Sequence, residues 1–440
     1  MPDLCTTRIT YGQAWAHPAG HTLDYDDVSS AVTWDGVCTD EADHSFALLS
    51  NGWRPVFAGH GACTIAIDQQ SCAATPGCGT RITYGASWQA ATNHPNAYDD
   101  VDGRVTWDGR CVASGAQAFA TLSNGWQPHF TGAACPVSLR YTQCGGLYAN
   151  PVIDANCPDP GVLLDAGRYV LSCTSGNLAA AFPLRTSTDL VHFTSAGYVF
   201  PAGQRPAWAT GDFWAPEIHA IGGHYVAYYT ARHTNGRLSI GAASSASPTG
   251  PFVDLGQPIV QDPTLGLIDA TEYAGYLVWK VDGNAVGQQT PIRIQQLAAD
   301  GLSLVGAATT LITNDQPWEG GVVEGPWMIA HAGMTYLFYS GNSYADARYA
   351  VGVARAATPL GPFTKASAPI VVTNDQWIGP GHGSVLDVPS GDTYLVYHAW
   401  RPGHVNGPGD SRVTLVDRIV WRNGWPLLPS APSMVSQPMP

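Results

Sequence analysis

Lysine is nearly missing from this sequence: Lys280 and Lys365 are the only two in 440 residues. Charge of any kind is scarce, at 12% of the chain, against about a quarter in ordinary proteins. The 20 basic residues face 34 acidic ones, for a net charge of −14. With no Lys/Arg stripe and an acidic balance, nucleic acid and anionic membranes are poor partners. No apolar run approaches the roughly 18 residues of a membrane span. What is present is Gly (49), Pro (33), Tyr (19) and Trp (15). A tenth of the chain is aromatic, enough for a sizeable core and too much for disorder. The length is about three ordinary domains, so two or more are expected. Many turns, few charges and surplus Trp and Tyr suggest an exported β-protein that meets something flat and polar.

The ten cysteines are clustered. Cys5, Cys38, Cys63 and Cys72 are spaced by 33, 25 and 9, and Cys78, Cys111, Cys135 and Cys144 by 33, 24 and 9. The surrounding text repeats at an offset of 73: Thr7–Gly12 recurs as Thr80–Gly85, Tyr25–Val28 as Tyr98–Val101, and Leu49–Trp53 as Leu122–Trp126. The chain thus opens with two copies of one small module, residues 1–73 and 74–144. Modules of this size have little core and commonly rely on staples. Four cysteines per copy predict two intramodule disulfides, with three pairings open. A zinc site is disfavoured, because no C-x-x-C pair occurs and no His stands at ligand spacing. Disulfides imply an oxidising compartment. Met1-Pro2-Asp3 shows neither a charged n-region nor an apolar h-region, so the expectation is a secreted protein whose signal peptide has been removed. The modules read as β-rich. Their Trp residues serve either as sugar platforms in a carbohydrate-binding module or as the core of a small fold.

From Gly145 the text changes. A Tyr opens a short apolar strand at Tyr169, Tyr225, Tyr276, Tyr336 and Tyr394, at separations of 56, 51, 60 and 58. Pro248-x-Gly-Pro-Phe252 recurs 111 residues later as Pro359-x-Gly-Pro-Phe363, an offset of two periods. Five all-β units without helical periodicity predict a five-bladed β-propeller over residues 145–440. The innermost strand of each blade should precede the Tyr strand. At 7 to 12 residues before each Tyr stand Asp159, Glu217, Asp269, Glu324 and His382. A ring of carboxyls around an axial pocket is where burial and mutual repulsion push pKa values apart. One protonated and one ionised carboxyl are the parts needed for glycoside hydrolysis.

At these residues the chain resembles glycoside hydrolase family 43, over about residues 145–430. The matching text is Asn150-Pro151-Val152-Ile153, Cys157-Pro158-Asp159-Pro160-Gly161, Trp214-Ala215-Pro216-Glu217, Leu267-Ile268-Asp269-Ala270, Val323-Glu324-Gly325-Pro326-Trp327 and Gly381-His382-Gly383-Ser384. The resemblance implies an inverting glycosidase with Asp159 as general base, Asp269 orienting the acid and raising its pKa, and Glu324 as general acid. It implies that His382 lies on the axis, in many members beside a calcium ion, and that Arg412 approaches the substrate near the acid. No cofactor is required for the chemistry. Ala270 departs from the proline usual after the third motif. The N-terminal modules have no counterpart in the resemblance.

Trp214, Phe213, Glu217, Trp327 and Trp208 are further candidates for the sugar subsite. Most propeller aromatics, however, only pack between blades. Glu319 falls outside the Glu-Gly-Pro match and is set aside. Cys157 and Cys173 read either as a staple of the first blade or as two buried thiols. The substrate implied is a polysaccharide or oligosaccharide, the chain a monomer, and the lead activity an exo-acting α-L-arabinofuranosidase. β-Xylosidase, endo-arabinanase, galactofuranosidase and galactanase are the alternatives. A sugar-binding propeller without catalysis is the alternative of another class. Reduction is expected to unfold the N-terminal tandem well before the propeller. Calorimetry with and without dithiothreitol checks this, and equal loss in both parts contradicts the intramodule pairing.

Overall fold

The computed structural model describes residues 147–440 except 429, 430, 435 and 436, together with short strands between Arg8 and Arg140. Of the two cysteine tetrads only Cys111 falls in a described strand, and the expected disulfides and the side chains of the tandem modules lie outside the described residues. Residues Ala149–Val435 form one compact unit, built of five four-stranded antiparallel sheets. Blade one comprises Gly161–Asp165, Arg168–Ser172, Ala181–Ser187 and Thr194–Phe200. Blade two comprises Ala209–Ile221, His224–His233, Leu238–Ser245 and Val253–Asp254. Blade three comprises Leu267–Tyr273, Tyr276–Val281, Ile292–Leu297 and Leu304–Ile312. Blade four comprises Val323–His331, Met334–Gly341, Ala350–Ala356 and Thr364–Lys365. Blade five comprises Ile378–Asp387, Thr393–Trp400, Val413–Arg422 and Trp425–Leu427. The expected five-bladed propeller is what forms, and all five marker tyrosines lie in second strands.

The first strands of neighbouring blades touch around the axis. Second strands are covered on both faces, so they read as apolar runs without alternation. Thr393–Trp400 is buried along its whole length. The fourth strand of blade three, by contrast, is mostly exposed. The hydrophobic cores lie between blades. Phe182, Phe213 and Tyr229 pack blade one on blade two. Tyr228 and Trp279 join blades two and three, and Trp377, Tyr336 and Tyr397 fill the space between four and five. The tyrosine surplus suits this arrangement, because each ring packs while its hydroxyl finds a polar partner. Tyr228 donates to the Gly301 carbonyl at 2.6 Å and Tyr336 to the Gly424 carbonyl at 2.7 Å. The repeated Pro-x-Gly-Pro-Phe text forms the turn between third and fourth strands in blades two and four. Its glycines, Gly250 and Gly361, sit at φ 87° and 85°, a conformation that glycine adopts without a Cβ penalty.

Each blade is made of consecutive strands, so the ring must be closed by other means. Residues before blade one supply the closure. Val152 N–H donates to the Thr414 carbonyl at 2.9 Å, and Cys157 N–H to the Arg412 carbonyl at 2.9 Å. The buried Asn150 side chain donates to the Val416 carbonyl at 3.0 Å and accepts from Val416 N–H at 2.9 Å. Ser384 Oγ of blade five donates to the Pro160 carbonyl and accepts from Val162 N–H. Cys157 in this closing segment is disulfide-bonded to Cys173, with Cα atoms 5.1 Å apart.

Candidate active site

At one end of the axis the innermost strands of blades two to five break register, and blade one has its counterpart at Asp159, just before Gly161–Asp165. The break is a residue in the left-handed region: Asp159 (φ 54°), Ala215 (43°), Asp269 (59°), Gly325 (57°) and His382 (41°). Such φ values are costly for residues other than Gly, Asn and Asp and survive only where the surroundings hold them. Here each bulge N–H meets a side chain. Ala215 N–H donates to Thr174 Oγ1 at 2.6 Å, Asp269 N–H to Thr230 Oγ1 at 3.1 Å, and His382 N–H to Ser340 Oγ at 2.7 Å. Asp159 N–H donates to His398 Nδ1 at 3.1 Å. In all four cases the acceptor comes from the second strand of the preceding blade, or from the residues just after it. The fifth bulge differs. Lys280 stands at the corresponding position and has no acceptor, so Gly325 N–H donates to the Asp269 carboxylate at 3.0 Å.

The bulges set where the carboxyls go. Asp159 and Asp269 are themselves bulge residues, whereas Glu324 is one residue earlier and Glu217 two residues later. The five titratable residues expected at equivalent places are therefore not equivalent. Asp159 and Asp269 are 6% exposed and face a cavity of about 390 Å³, which Glu324 also lines.

Each carboxyl has its own surroundings. Asp159 Oδ1 pairs with Arg412 Nη1 at 2.8 Å, and its Oδ2 accepts from Thr174 Oγ1 at 2.6 Å. Burial alone would raise Asp159. Arg412, His382 and His398, with the Thr174 hydroxyl, outweigh that and hold it well below the usual carboxylate range. Burial pushes Asp269 up to about 6; Glu324 and Asp159 add to the rise, while His382 and Lys280 oppose it. Glu324 is gripped at both oxygens, by Lys280 Nζ on Oε2 at 2.9 Å and by the Tyr349 hydroxyl on Oε1 at 2.9 Å. Glu217 is 4% exposed, and its Oε2 has no hydrogen-bond partner. Burial, then the charges of Asp269 and Asp159, push it well above the ordinary value. A neutral, protonated carboxyl suits that place. His398 is fully buried, and burial followed by Arg412 pushes it well below its ordinary value. A neutral ring also agrees with Nδ1 accepting from a backbone N–H.

A sequence model described as "Glycosyl hydrolases family 43" matches residues 148–426. The chain belongs to this family. A β-D-galactofuranosidase of Aspergillus niger is 28% identical over 309 residues, 66% of this chain and 87% of that protein. An extracellular exo-α-(1→5)-L-arabinofuranosidase of Streptomyces avermitilis is 26% identical over 328 residues, 69% of this chain and 66% of that protein. Among solved structures, a thermostable family-43 glycoside hydrolase is 34% identical with a TM-score of 0.60, covering 64% of this chain and 96% of its own. The chain is thus a glycosidase, and family 43 hydrolyses with inversion.

Within this family 43 fold, Trp214, His382 and Arg412 line the cavity with the three carboxyls. Arg412, expected near the acid Glu324, makes its ion pair with Asp159. Phe213 is fully buried against Phe182, under the Arg205 guanidinium. Trp327 packs on His219 and donates to the Val385 carbonyl at 2.7 Å. Trp208 stacks on Tyr229. Neither these three aromatics nor Glu217 lines the cavity. Glu319 is wholly buried, and its two oxygens are taken by Lys365, Tyr339 and the N–H groups of Asp315 and Gln316. His382 Nδ1 is turned toward Asp159 and Asp269, at 3.5 and 3.9 Å. Among the described residues no group of three His, Cys, Asp or Glu is placed to hold a metal.

Sequence reasoning passed over Thr174, Lys280, Tyr344, Tyr349 and His398. Lys280 did carry a signal, since a lysine closing the apolar run Tyr-Leu-Val-Trp is out of place unless paired. Thr174 joins two functions, because it donates to Asp159 and caps the Ala215 bulge. Thr174→Val is expected to cost about 1–2 kcal/mol of stability. It should also lower kcat/KM about tenfold by loosening Asp159. Unchanged kcat/KM would show that Arg412 alone fixes the carboxylate.

Proposed function

We propose that this chain is an inverting, exo-acting α-L-arabinofuranosidase in which Glu324 is the general acid, Asp159 the general base and Asp269 the carboxylate that orients the acid. One observation carries the assignment: three carboxyls converge on one cavity with opposed electrostatics, Asp159 held ionised by Arg412 and Asp269 raised by burial. In the reaction Glu324 gives its proton to the glycosidic oxygen as the C–O bond breaks. A water attacks the anomeric carbon from the opposite face, and Asp159 takes its proton. The anomeric configuration inverts, and the two carboxyls return to their starting states by exchange with solvent. Trp214 and Arg412 border the sugar, and His382 holds the space between Asp159 and Asp269. Every step is assigned to the chain's own side chains.

The arabinofuranoside is supported by the Streptomyces relative, and secretion by that relative's extracellular description and by the N-terminal cysteine density. The substrate is the non-reducing end of a polysaccharide or oligosaccharide, presented to a propeller that follows two stapled modules. A second reading, β-D-galactofuranosidase, is favoured by the Aspergillus relative, which is matched over 87% of its length. Both sugars are furanosides, and the two differ in the exocyclic carbon that the pocket must admit.

A panel of 4-nitrophenyl glycosides separates these readings. α-L-Arabinofuranoside is expected to be cleaved fastest, and Glu324→Gln to lose about 10²–10⁴-fold on unactivated substrates. Wild type and variant equally inert on all pentosides and hexofuranosides would overturn the enzyme reading for this pocket. The pH profile gives a further check. Below about 6 Asp269 takes up a proton and its negative charge no longer supports the acid. The acidic limb of kcat/KM is therefore expected near pH 6, with activity falling as pH drops. A limb following an ordinary carboxyl, near 4, would contradict the role given to Asp269.

A further inference from the structure

Lys280 breaks the fivefold pattern of the propeller, and the break falls beside Glu324. At this position the other blades carry Thr174, Thr230, Ser340 and His398, each accepting from the N–H of the next bulge. The register identifies Lys280 as their equivalent. It pairs with Ile268, one residue before the Asp269 bulge, as Thr230 pairs with Trp214 and Ser340 with Glu324. Lysine cannot accept, and its presence has two consequences. The Gly325 N–H turns to the Asp269 carboxylate, which ties Asp269 to the residue after Glu324. The ammonium is also brought to Glu324 Oε2 at 2.9 Å and Asp282 Oδ1 at 3.0 Å. Lys280 is 1% exposed. Burial works against its charge, and Glu324 and Asp282 more than restore it.

We infer that Lys280 and Tyr349 form a clamp that positions Glu324 through both of its protonation states, and that Lys280 is a positioning residue for acid catalysis. This rests on the assignment of Glu324 as general acid. The two arms have different chemistry. The ammonium has donors only, so it holds Oε2, which accepts whether Glu324 is neutral or ionised. The Tyr349 hydroxyl both donates and accepts. It donates to one lone pair of Oε1 in either state, as in the structure, and leaves the other lone pair to carry the proton that goes to the leaving oxygen. The side chain therefore need not change rotamer during proton transfer, and Oε1 is the atom left to carry the proton. Tyr349 is itself fixed, being almost wholly buried and stacked on His398 at 5.8 Å.

A clamp on the acid matters only when the leaving group needs a proton. The test is a matched pair of glycosides of the sugar that wild type cleaves, one with a 2,4-dinitrophenolate leaving group and one with a sugar alcohol. For Lys280→Met, kcat on the sugar-alcohol substrate is expected to fall about 100-fold, and on the dinitrophenyl substrate less than about fivefold. KM for both should stay within about threefold. Tyr349→Phe should show the same pattern, with about a tenfold loss on the poor leaving group. Lys280→Thr installs the residue that blades one and two carry and gives Gly325 N–H its acceptor. It should melt higher than Lys280→Met, because the bulge N–H regains an acceptor, yet show the same kinetic pattern, which keeps folding and clamping apart. Equal losses on both leaving groups, or retained activity in Lys280→Thr, would overturn the clamp while leaving the glycosidase reading intact. A wild type inert on every glycoside of the panel removes that reading, and the clamp with it.

Discussion

The active end of this propeller depends on a backbone constraint: in or just before its innermost strand each blade has a left-handed residue beside the pocket, and the N–H of that residue is taken up by a side chain. All five caps come from the preceding blade, four of them from its second strand or just after it and the fifth from Asp269, so the constraint is also a link between blades. A left-handed bulge ends the regular pleat and re-aims the side chain beside it. For Asp159 and Asp269 the bulge residue is the carboxylate itself. The strain at the site and the cohesion of the ring are thus the same hydrogen bonds. This is why Thr174, whose hydroxyl lies on no reacting atom, touches both Asp159 and the Ala215 bulge.

Given that backbone, the carboxyls are set apart by what else is buried with them. Asp159 and Asp269 are equally hidden, yet their electrostatics diverge. The largest difference is one guanidinium, with His398 and the Thr174 hydroxyl beside it. Arg412 reaches Asp159 from blade five, held over Tyr344 and Trp400, and nothing comparable contacts Asp269. Glu217, deeper on the axis, has no partner at Oε2 and is best accommodated neutral. Leaving it neutral avoids a third buried negative charge next to Asp159 and Asp269. Glycine at 161 is required by this packing, because a Cβ there would collide with the Glu217 carboxyl.

Much of the fold was legible because the propeller repeats itself. The spacing of Tyr169, Tyr225, Tyr276, Tyr336 and Tyr394 gave the blade count, and the text before each gave the innermost strands. Asp159, Asp269 and Glu324 were legible for the same reason. Glu217 was misaligned by two residues, since a bulge adds residues that spacing alone does not reveal. Phe213 and Trp327 were drawn toward the sugar by chemistry shared between binding and packing. One residue along, Trp214 lines the cavity while Phe213 faces Phe182, the alternation of a strand. Arg412 was placed beside the wrong carboxyl, because it arrives from a third strand whose register with the pocket is set by ring closure through residues 150–157. His398 lies within the apolar strand Thr393–Trp400 and Thr174 just beyond Arg168–Ser172, polar residues in apolar text whose purpose only the bulge makes intelligible.

The scarcity of lysine takes on a different meaning in the folded chain. Neither lysine serves as a solvating surface charge. Lys280 is 1% exposed and Lys365 has an 8% exposed side chain, and each is bonded to a glutamate that a tyrosine hydroxyl also contacts. Lys365, Glu319 and Tyr339 make a closed version of the arrangement. Glu319 has every lone pair engaged, and the set pins the connection between blades three and four. Lys280, Glu324 and Tyr349 make the open version, in which the glutamate borders the cavity and lacks the backbone donors that saturate Glu319. Breaking a buried charge pair is costly, about 3–5 kcal/mol when one partner is removed, so both sets specify geometry strongly. What separates structure from chemistry here is not the residue types, which are the same, but the two backbone N–H groups that Glu319 has and Glu324 does not. An acid with a spare lone pair facing a cavity can exchange a proton with a ligand, and one saturated by its own backbone cannot.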